Sequence, residues 1–191
     1  MARIRKFCAY RRLERPYTRF SKYKKKNFVR ARPNMVIAKF ETGSTKKAFG
    51  YEVELVALDT LQIRHNALES ARMTANRALE RTIGKENYHL KVRQYPHHIL
   101  RENPLAAGAG ADRLSTGMKM SFGKPISRAA RVKKGKAVLS VRVNKSNLLV
   151  GIDAMSRAGK KLPDSYQVKH KKLKETIKQK KAAARKAKLA A

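Results

Sequence analysis

Acidic residues are scarce in this chain, cysteine is nearly absent, and hydrophobic runs are short. The single cysteine, Cys8, excludes an intrachain disulfide and a thiolate zinc cluster. No apolar run approaches the ~18 residues of a membrane span. The basic start Met1-Ala2-Arg3-Ile4-Arg5-Lys6 is not followed by the apolar core of a signal peptide. The expectation is a soluble, intracellular protein with no membrane partner.

The shortage of acids decides most. Against 13 Asp+Glu stand 47 Lys+Arg, a net charge of +34 in 191 residues. Self-repulsion on that scale destabilises a compact state, and solubility asks for a net charge of only about 2–8 in a small domain. A polyanion is therefore the expected partner, since neutralising phosphates releases condensed counterions. The cations concentrate at the ends. Residues 1–33 carry 13 Lys+Arg against Glu14 alone, and residues 169–191 carry 10 against Glu175 alone. This predicts a basic arm over 1–33, a folded domain over 34–170 and a Lys/Ala-rich tail over 171–191. The arm interleaves Phe7, Tyr10, Tyr17, Phe20, Tyr23 and Phe28 with its cations; such rings stack on unpaired bases or pack on the body.

The middle reads as one α+β domain of modest core, with 42% hydrophobic residues in the whole chain. Met35 to Phe40 and Tyr51 to Leu58 are strand candidates, as are Tyr88 to Gln94, Ala137 to Val143 and Tyr166 to His170. Leu90, Val92, Leu139, Val141 and Val143 are expected inward, and Lys91, Arg93 and Arg142 outward. A helix over 66–82 follows from the stripe Leu68, Ala71, Ala75, Ala78 and Leu79. Asn66 and Glu69 resemble a capping box, and Gly84 closes the helix. A second helix spans 147–158 on Leu148, Ile152 and Met155, with Gly159 and Pro163 as stops.

From Asn103 to Thr116 the chain is built largely of Gly, Ala, Asn and Pro and cannot form a core. Structureless stretches of this length are functional or disordered. Two cofactor motifs fail there. Gly108-Ala109-Gly110 lacks the third glycine of a dinucleotide fingerprint, where Arg113 stands; Gly117 to Lys124 has one residue too many for a phosphate-binding loop and ends on Pro125. The adjacent His97 and His98 would face opposite sides of a strand and cannot chelate together. No carboxylate pair stands near them, so they are read as surface or RNA-contact imidazoles. Neither catalysis, nor a metal, nor a cofactor, nor a small-molecule substrate is expected. Between Glu102 and Asp153 the charge is nearly single-signed. Arg113, Lys119, Lys124, Arg128, Arg131, Lys133, Lys134, Lys136, Arg142 and Lys145 face Asp112 alone, as phosphate contacts would require.

Specific stretches then carry a resemblance. They are Lys91-Val92-Arg93-Gln94-Tyr95-Pro96-His97-His98-Ile99-Leu100-Arg101-Glu102-Asn103, Ala107 to Leu114, Gly117-Met118, Phe122-Gly123-Lys124-Pro125 and Ala130-Arg131-Val132. Leu61 to His65, Ala71-Arg72, Ala75-Asn76-Arg77 and Arg15 to Arg19 add to it. Together they resemble the archaeal and eukaryotic large-subunit ribosomal protein ten-e family, homologous to the bacterial large-subunit protein sixteen, over about residues 3–170. The missing extra cysteines of eukaryotic members point to an archaeal source. The resemblance implies a strand-rich, hammerhead-like barrel packed against two helices, and residence in the cytoplasmic large ribosomal subunit. It implies binding to large-subunit rRNA beside the aminoacyl-tRNA site and the peptidyl transferase centre, with tRNA and neighbouring ribosomal proteins as partners. Its flexible loop maps onto Glu102, Asn103, Ala107, Gly108, Ala109, Gly110, Ala111 and Asp112 and reaches toward tRNA; Arg101 and Arg113 would anchor its ends on phosphate. Joined to the cation pattern, it assigns RNA contacts to Arg3, Arg5, Lys6, Arg11, Arg12, Arg19, Lys22 and Lys24 in the arm. In the body it assigns them to Arg64, Arg93, His97, His98, Arg101, Arg113, Lys119, Lys124, Arg128 and Arg131. The work implied is positioning, not bond chemistry. The alternative reading is another basic RNA-binding or RNA-maturation factor.

Overall fold

The structure is a computed structural model that describes residues 4, 6–11, 23, 31–102 and 123–173. Among the described residues, eight strands and two helices make one α+β body. The strands are β1 (Glu41–Gly43), β2 (Tyr51–Ala57), β3 (Leu61–Arg64), β4 (Tyr88–Val92), β5 (His98–Glu102), β6 (Lys124–Val132), β7 (Ala137–Val143) and β8 (Tyr166–Lys172); the helices are α1 (His65–Ile83) and α2 (Leu148–Gly159). β1-β4-β7-β2-β8 form a five-stranded sheet and β3-β6-β5 a three-stranded one, with every pairing antiparallel. The hammerhead-like barrel implied by the resemblance is therefore not closed. Among the described residues no ladder joins one sheet to the other, so both keep free edges.

Period-two patterning builds the large sheet as expected. Leu90, Val92, Leu139, Val141 and Val143 are fully or nearly fully buried, together with Val53, Leu55 and Tyr88. The alternation in β2 breaks at a bulge between Leu55 and Val56, where the register against β7 shifts and Val56 and Ala57 are both buried. Gly43 is obligatory: its φ is +90°, and a Cβ there would overlap the Tyr88 carbonyl oxygen.

In α1 the predicted stripe is the buried one, with Leu68, Ala71, Ala75 and Leu79 all inaccessible and Ala78 half-buried at its edge. Each leucine there contributes about 1.5–3 kcal/mol. Gly84 closes the helix at φ +75°, its N–H reaching the Glu80 carbonyl. The capping box does not form. β3 runs straight into α1, Arg64 takes the cap position without a side-chain bond, and Glu69 instead grips Arg72 through two hydrogen bonds. Tyr88 pins α1 to β4 by donating its hydroxyl to Asn76 Oδ1 at 2.7 Å. Burial, followed by the Glu80 charge, pushes that phenol up to about 12.

The second helix appears where predicted and buries Met155 of its expected stripe, but small residues that the stripe did not include share the contact. Gly151, Ala154, Met155 and Ala158 are buried, while Leu148 and Ile152 are only half-buried. A Cβ on Gly151 would lie 3.4–3.6 Å from methyls of Val143, Val53 and Val141. The helix rides so low on the sheet that small residues, not leucines, mark the contact.

Met35 to Phe40 is not a strand. Ile37 is buried but Val36 is exposed, and the Val36 N–H donates to His65 Nδ1 at 3.1 Å rather than to a ladder. β8 runs past His170 to Lys172. Of the arm, Phe7–Tyr10 forms a 3-10 turn with Tyr10 buried. The remainder of the Lys/Ala tail, 174–191, lies outside the described residues.

Candidate nucleic-acid interface

The three-stranded sheet organises most of the predicted body cations. Register places Gln62 opposite Arg131, Arg64 opposite Ala129, and Ala129 opposite His98. Alternation then puts Arg64, Arg131, His98 and Gln62 on one face, with Arg128 on the other. β5 and β6 stay paired to Glu102–Lys124. The two ends of the Gly/Ala-rich segment therefore stand side by side, and Arg101 Nε reinforces them by donating to the Gly123 carbonyl at 3.1 Å. Gly123, at φ +94°, opens a strand and not a helix, which removes the phosphate-loop reading structurally as well.

Both histidines under this sheet are structural. Gln62 Nε2 donates to the Tyr10 carbonyl at 3.1 Å, which turns its oxygen toward His98; that ring must carry its proton on Nδ1. Burial, and then the charge of Arg131, pull His98 down to about 4. Expected as an RNA contact, His98 is only 5% exposed, and its Nε2 is buried with no hydrogen-bond partner. His65 accepts from Val36 at Nδ1, so Nε2–H donates to Ser127 Oγ at 2.9 Å. Burial, Arg128 and Arg64 lower its proton affinity too. Glu102, expected in the tRNA-facing loop, is likewise buried at the end of β5.

Other predicted contacts are exposed. Lys6, Arg93, His97, Lys124 and Arg131 face solvent, and Arg64, Arg101 and Arg128 are half-buried. Arg11 is partly committed: it pairs with Asp164 at 3.0 Å and, with Tyr10, docks the arm on the body. Phe40 stacks on Tyr95 with ring centres 5.3 Å apart, and Tyr95 meets His97 at 4.4 Å. This ring stack beside Arg93 is a feature the sequence reading missed, because Phe40 lies far from the other two in sequence. Arg3, Arg5, Arg12, Arg19, Lys22, Lys24, Asn103, Ala107, Gly108, Ala109, Gly110, Ala111, Asp112, Arg113 and Lys119 lie outside the described residues.

Several of the acids are paired on the large sheet. On the outer face of the large sheet, Glu52 contacts Arg142 at 3.3 Å and Lys171 at 3.2 Å, Glu54 contacts Lys171 at 2.8 Å, and Glu41 pairs with Lys91. Burial of Glu52 opposes its ionisation, but Lys171 and Arg142 together outweigh it and lower its proton affinity. Arg142 thus belongs to a cross-strand ladder, not to the single-signed surface in which its sequence neighbourhood placed it. Arg93, Lys124, Arg128 and Arg131, by contrast, have no carboxylate partner among the described residues. Three carboxylates, Glu41, Glu52 and Glu54, are thus engaged on one face of the large sheet, while Lys124, Arg128 and Arg131 on β6 stand without one among the described residues. Cations so placed are the side chains that phosphate contacts require. Among the described residues no three or more His, Cys, Asp or Glu side chains group to hold a metal, and no helix is long and apolar enough to cross a membrane.

Comparison with known proteins gives concordant matches. Residues 17–169 match the family described as Ribosomal protein L16p/L10e. The large ribosomal subunit protein uL16 of Staphylothermus marinus is 47% identical over 166 residues, covering 86% of this chain and 95% of its own. The uL16 protein of Methanocella arvoryzae is 45% identical, covering 86% and 96%. That of Hyperthermus butylicus is 46% identical, covering 85% and 87%.

Proposed function

Since the chain belongs to the L16p/L10e family of ribosomal proteins, whose members are structural components of the large subunit and not enzymes, we propose that it binds large-subunit rRNA near the aminoacyl-tRNA site and helps to position tRNA. The observation that carries this reading is the joint geometry of β5 and β6. Glu102 and Lys124 are paired neighbours, so the chain leaves for the segment 103–122 and returns from it at one two-stranded base. That segment is rich in Gly and Ala, residues that let backbone approach a partner closely. The base itself is ringed by Lys124, Arg128 and Arg131, which lack carboxylate partners among the described residues. A scaffold of this kind holds a loop in a crowded RNA channel while phosphate contacts fix its direction. The partners are then large-subunit rRNA, tRNA and neighbouring ribosomal proteins, and the place of action is the cytoplasmic ribosome.

Sedimenting a lysate that carries the tagged chain, at low and at high salt, tests the assignment. The chain should travel with the large subunit at low salt and be released as salt rises. A variant lacking 104–111 should still travel with the subunit, because β5 and β6 remain joined, yet support translation poorly. A chain that stays at the top of the gradient in every buffer overturns the ribosomal reading. A deletion variant that translates normally overturns the tRNA-positioning role.

A further inference from the structure

A groove of about 590 Å³ runs between α1 and the C-terminal end of α2, lined by no residue of either sheet. Its walls carry Arg77 and Arg81 from α1 and Arg157 and Lys161 from α2, against one carboxylate, Asp153. That carboxylate is already engaged by Arg157 at 2.9 Å. Arg77, Arg81 and Lys161 have no carboxylate partner among the described residues. The two threonine hydroxyls in the groove are committed to their own helix: Thr74 donates to the Ser70 carbonyl and Thr82 to the Ala78 carbonyl. The cations are therefore the principal side-chain donors it offers.

Helix-dipole compensation explains a cation in the last turn of each helix, and Arg81 and Arg157 stand there. It does not explain Arg77, a turn earlier, or Lys161, beyond the end of α2. On α1 the two cations are four residues apart, about 5–6 Å between Cβ atoms, and Arg157 and Lys161 stand at the C-terminal end of α2. Positive charge from both elements thus lines one open trough. An extended polyanion with evenly spaced charges fits that arrangement.

We propose that the α1–α2 groove is a second RNA-backbone site, engaging phosphates of one rRNA strand through Arg77, Arg81 and Lys161, with Arg157 held in place by Asp153. This rests on the rRNA-binding reading above and adds to it a face of the protein that neither the arm nor the β5–β6 loop supplies. With two RNA-facing sides, the body acts as a wedge between rRNA segments.

The test compares the full chain with Arg77→Gln/Arg81→Gln and with Arg77→Lys/Arg81→Lys, binding a large-subunit rRNA transcript across a salt series. Glutamine keeps helix propensity and length, and matched thermal melts exclude a folding defect. The magnitude of the slope of log K against log salt should fall by about 1 for each arginine replaced by glutamine and be restored by lysine. Should the glutamine pair not fold, Lys161→Gln on the exposed end of α2 should lower the slope by about 1. Glutamine variants that bind RNA as the full chain does overturn the groove site. So does unchanged RNA affinity together with lost binding of a ribosomal protein, which would make the groove a protein-docking surface. In both cases the family reading is left standing. If the unmutated chain fails to bind the transcript at all, the rRNA-binding reading falls first.

Discussion

Gln62 on β3 joins the backbone of Tyr10, 52 residues earlier in the chain, through a 3.1 Å hydrogen bond from Nε2, while its oxygen accepts from His98 on β5. One buried amide thereby ties the N-terminal arm to two strands of the sheet that carries the loop. The Phe7–Tyr10 turn of the arm is thus part of the fold.

Replacing Gln62 with leucine should leave the Tyr10 carbonyl and the His98 Nδ1–H unmatched. Each orphaned group costs about 1–3 kcal/mol. Urea unfolding should register the loss, and limited proteolysis should cut residues 1–33 faster than in the parent chain. Unchanged protection of the arm would show that Arg11–Asp164 and Tyr10 packing hold it without the amide.

His98 predicts a pH dependence. Its folded-state proton affinity is pulled to about 4 from an ordinary 6.5, so between those values the unfolded chain binds the proton and the folded chain does not. Stability is complete above pH 6.5 and declines as the pH falls toward 4. Each pH unit in that window is worth about 1.4 kcal/mol, or about 2 kcal/mol between pH 6.5 and 5. His65, also lowered, acts in the same direction. Urea titrations at pH 7 and pH 5 should show the decline in the parent chain and a smaller one in His98→Gln. Equal declines in both would locate the effect elsewhere.

The two glycines at positive φ that flank β4 should respond unequally to alanine. At Gly43 the new methyl meets the Tyr88 carbonyl oxygen; at Gly84 it meets nothing within 4 Å. Gly84→Ala should cost about 1 kcal/mol from backbone strain alone, whereas Gly43→Ala should cost more, because β1 must leave β4. Thermal melts of the two variants provide the comparison.

Elements with a clear period were legible in the sequence. The Leu68-to-Leu79 stripe fixed α1 and the alternation from Tyr88 and from Ala137 fixed β4 and β7. β6 was hidden: Ala129 and Ala130 sit on opposite faces and arginines flank them, so no hydrophobic contrast marks a strand. α2 was placed correctly and Met155 was rightly turned inward, but the part of its contact made by Gly151 and Ala154 was missed, since these carry little hydropathic signal. The charged surface was legible in total and not in detail. Arg142 stands among cations in sequence, yet its partner Glu52 comes from a strand 90 residues away. His98 looked like a surface ring until β3 and the Tyr10 turn closed over it. Local charge counting reports which partner the molecule needs; only pairing across strands decides which cations remain to meet it.

Affinity of the purified full chain for a large-subunit rRNA transcript, followed from low to high salt, addresses the central claim most directly. If Lys124, Arg128, Arg131 and the cations of the arm meet RNA phosphates, log K falls linearly and steeply with log salt, by about 0.7–0.9 per phosphate neutralised. A line without slope would contradict the account, for it would mean that binding does not use the charge that sets this chain apart.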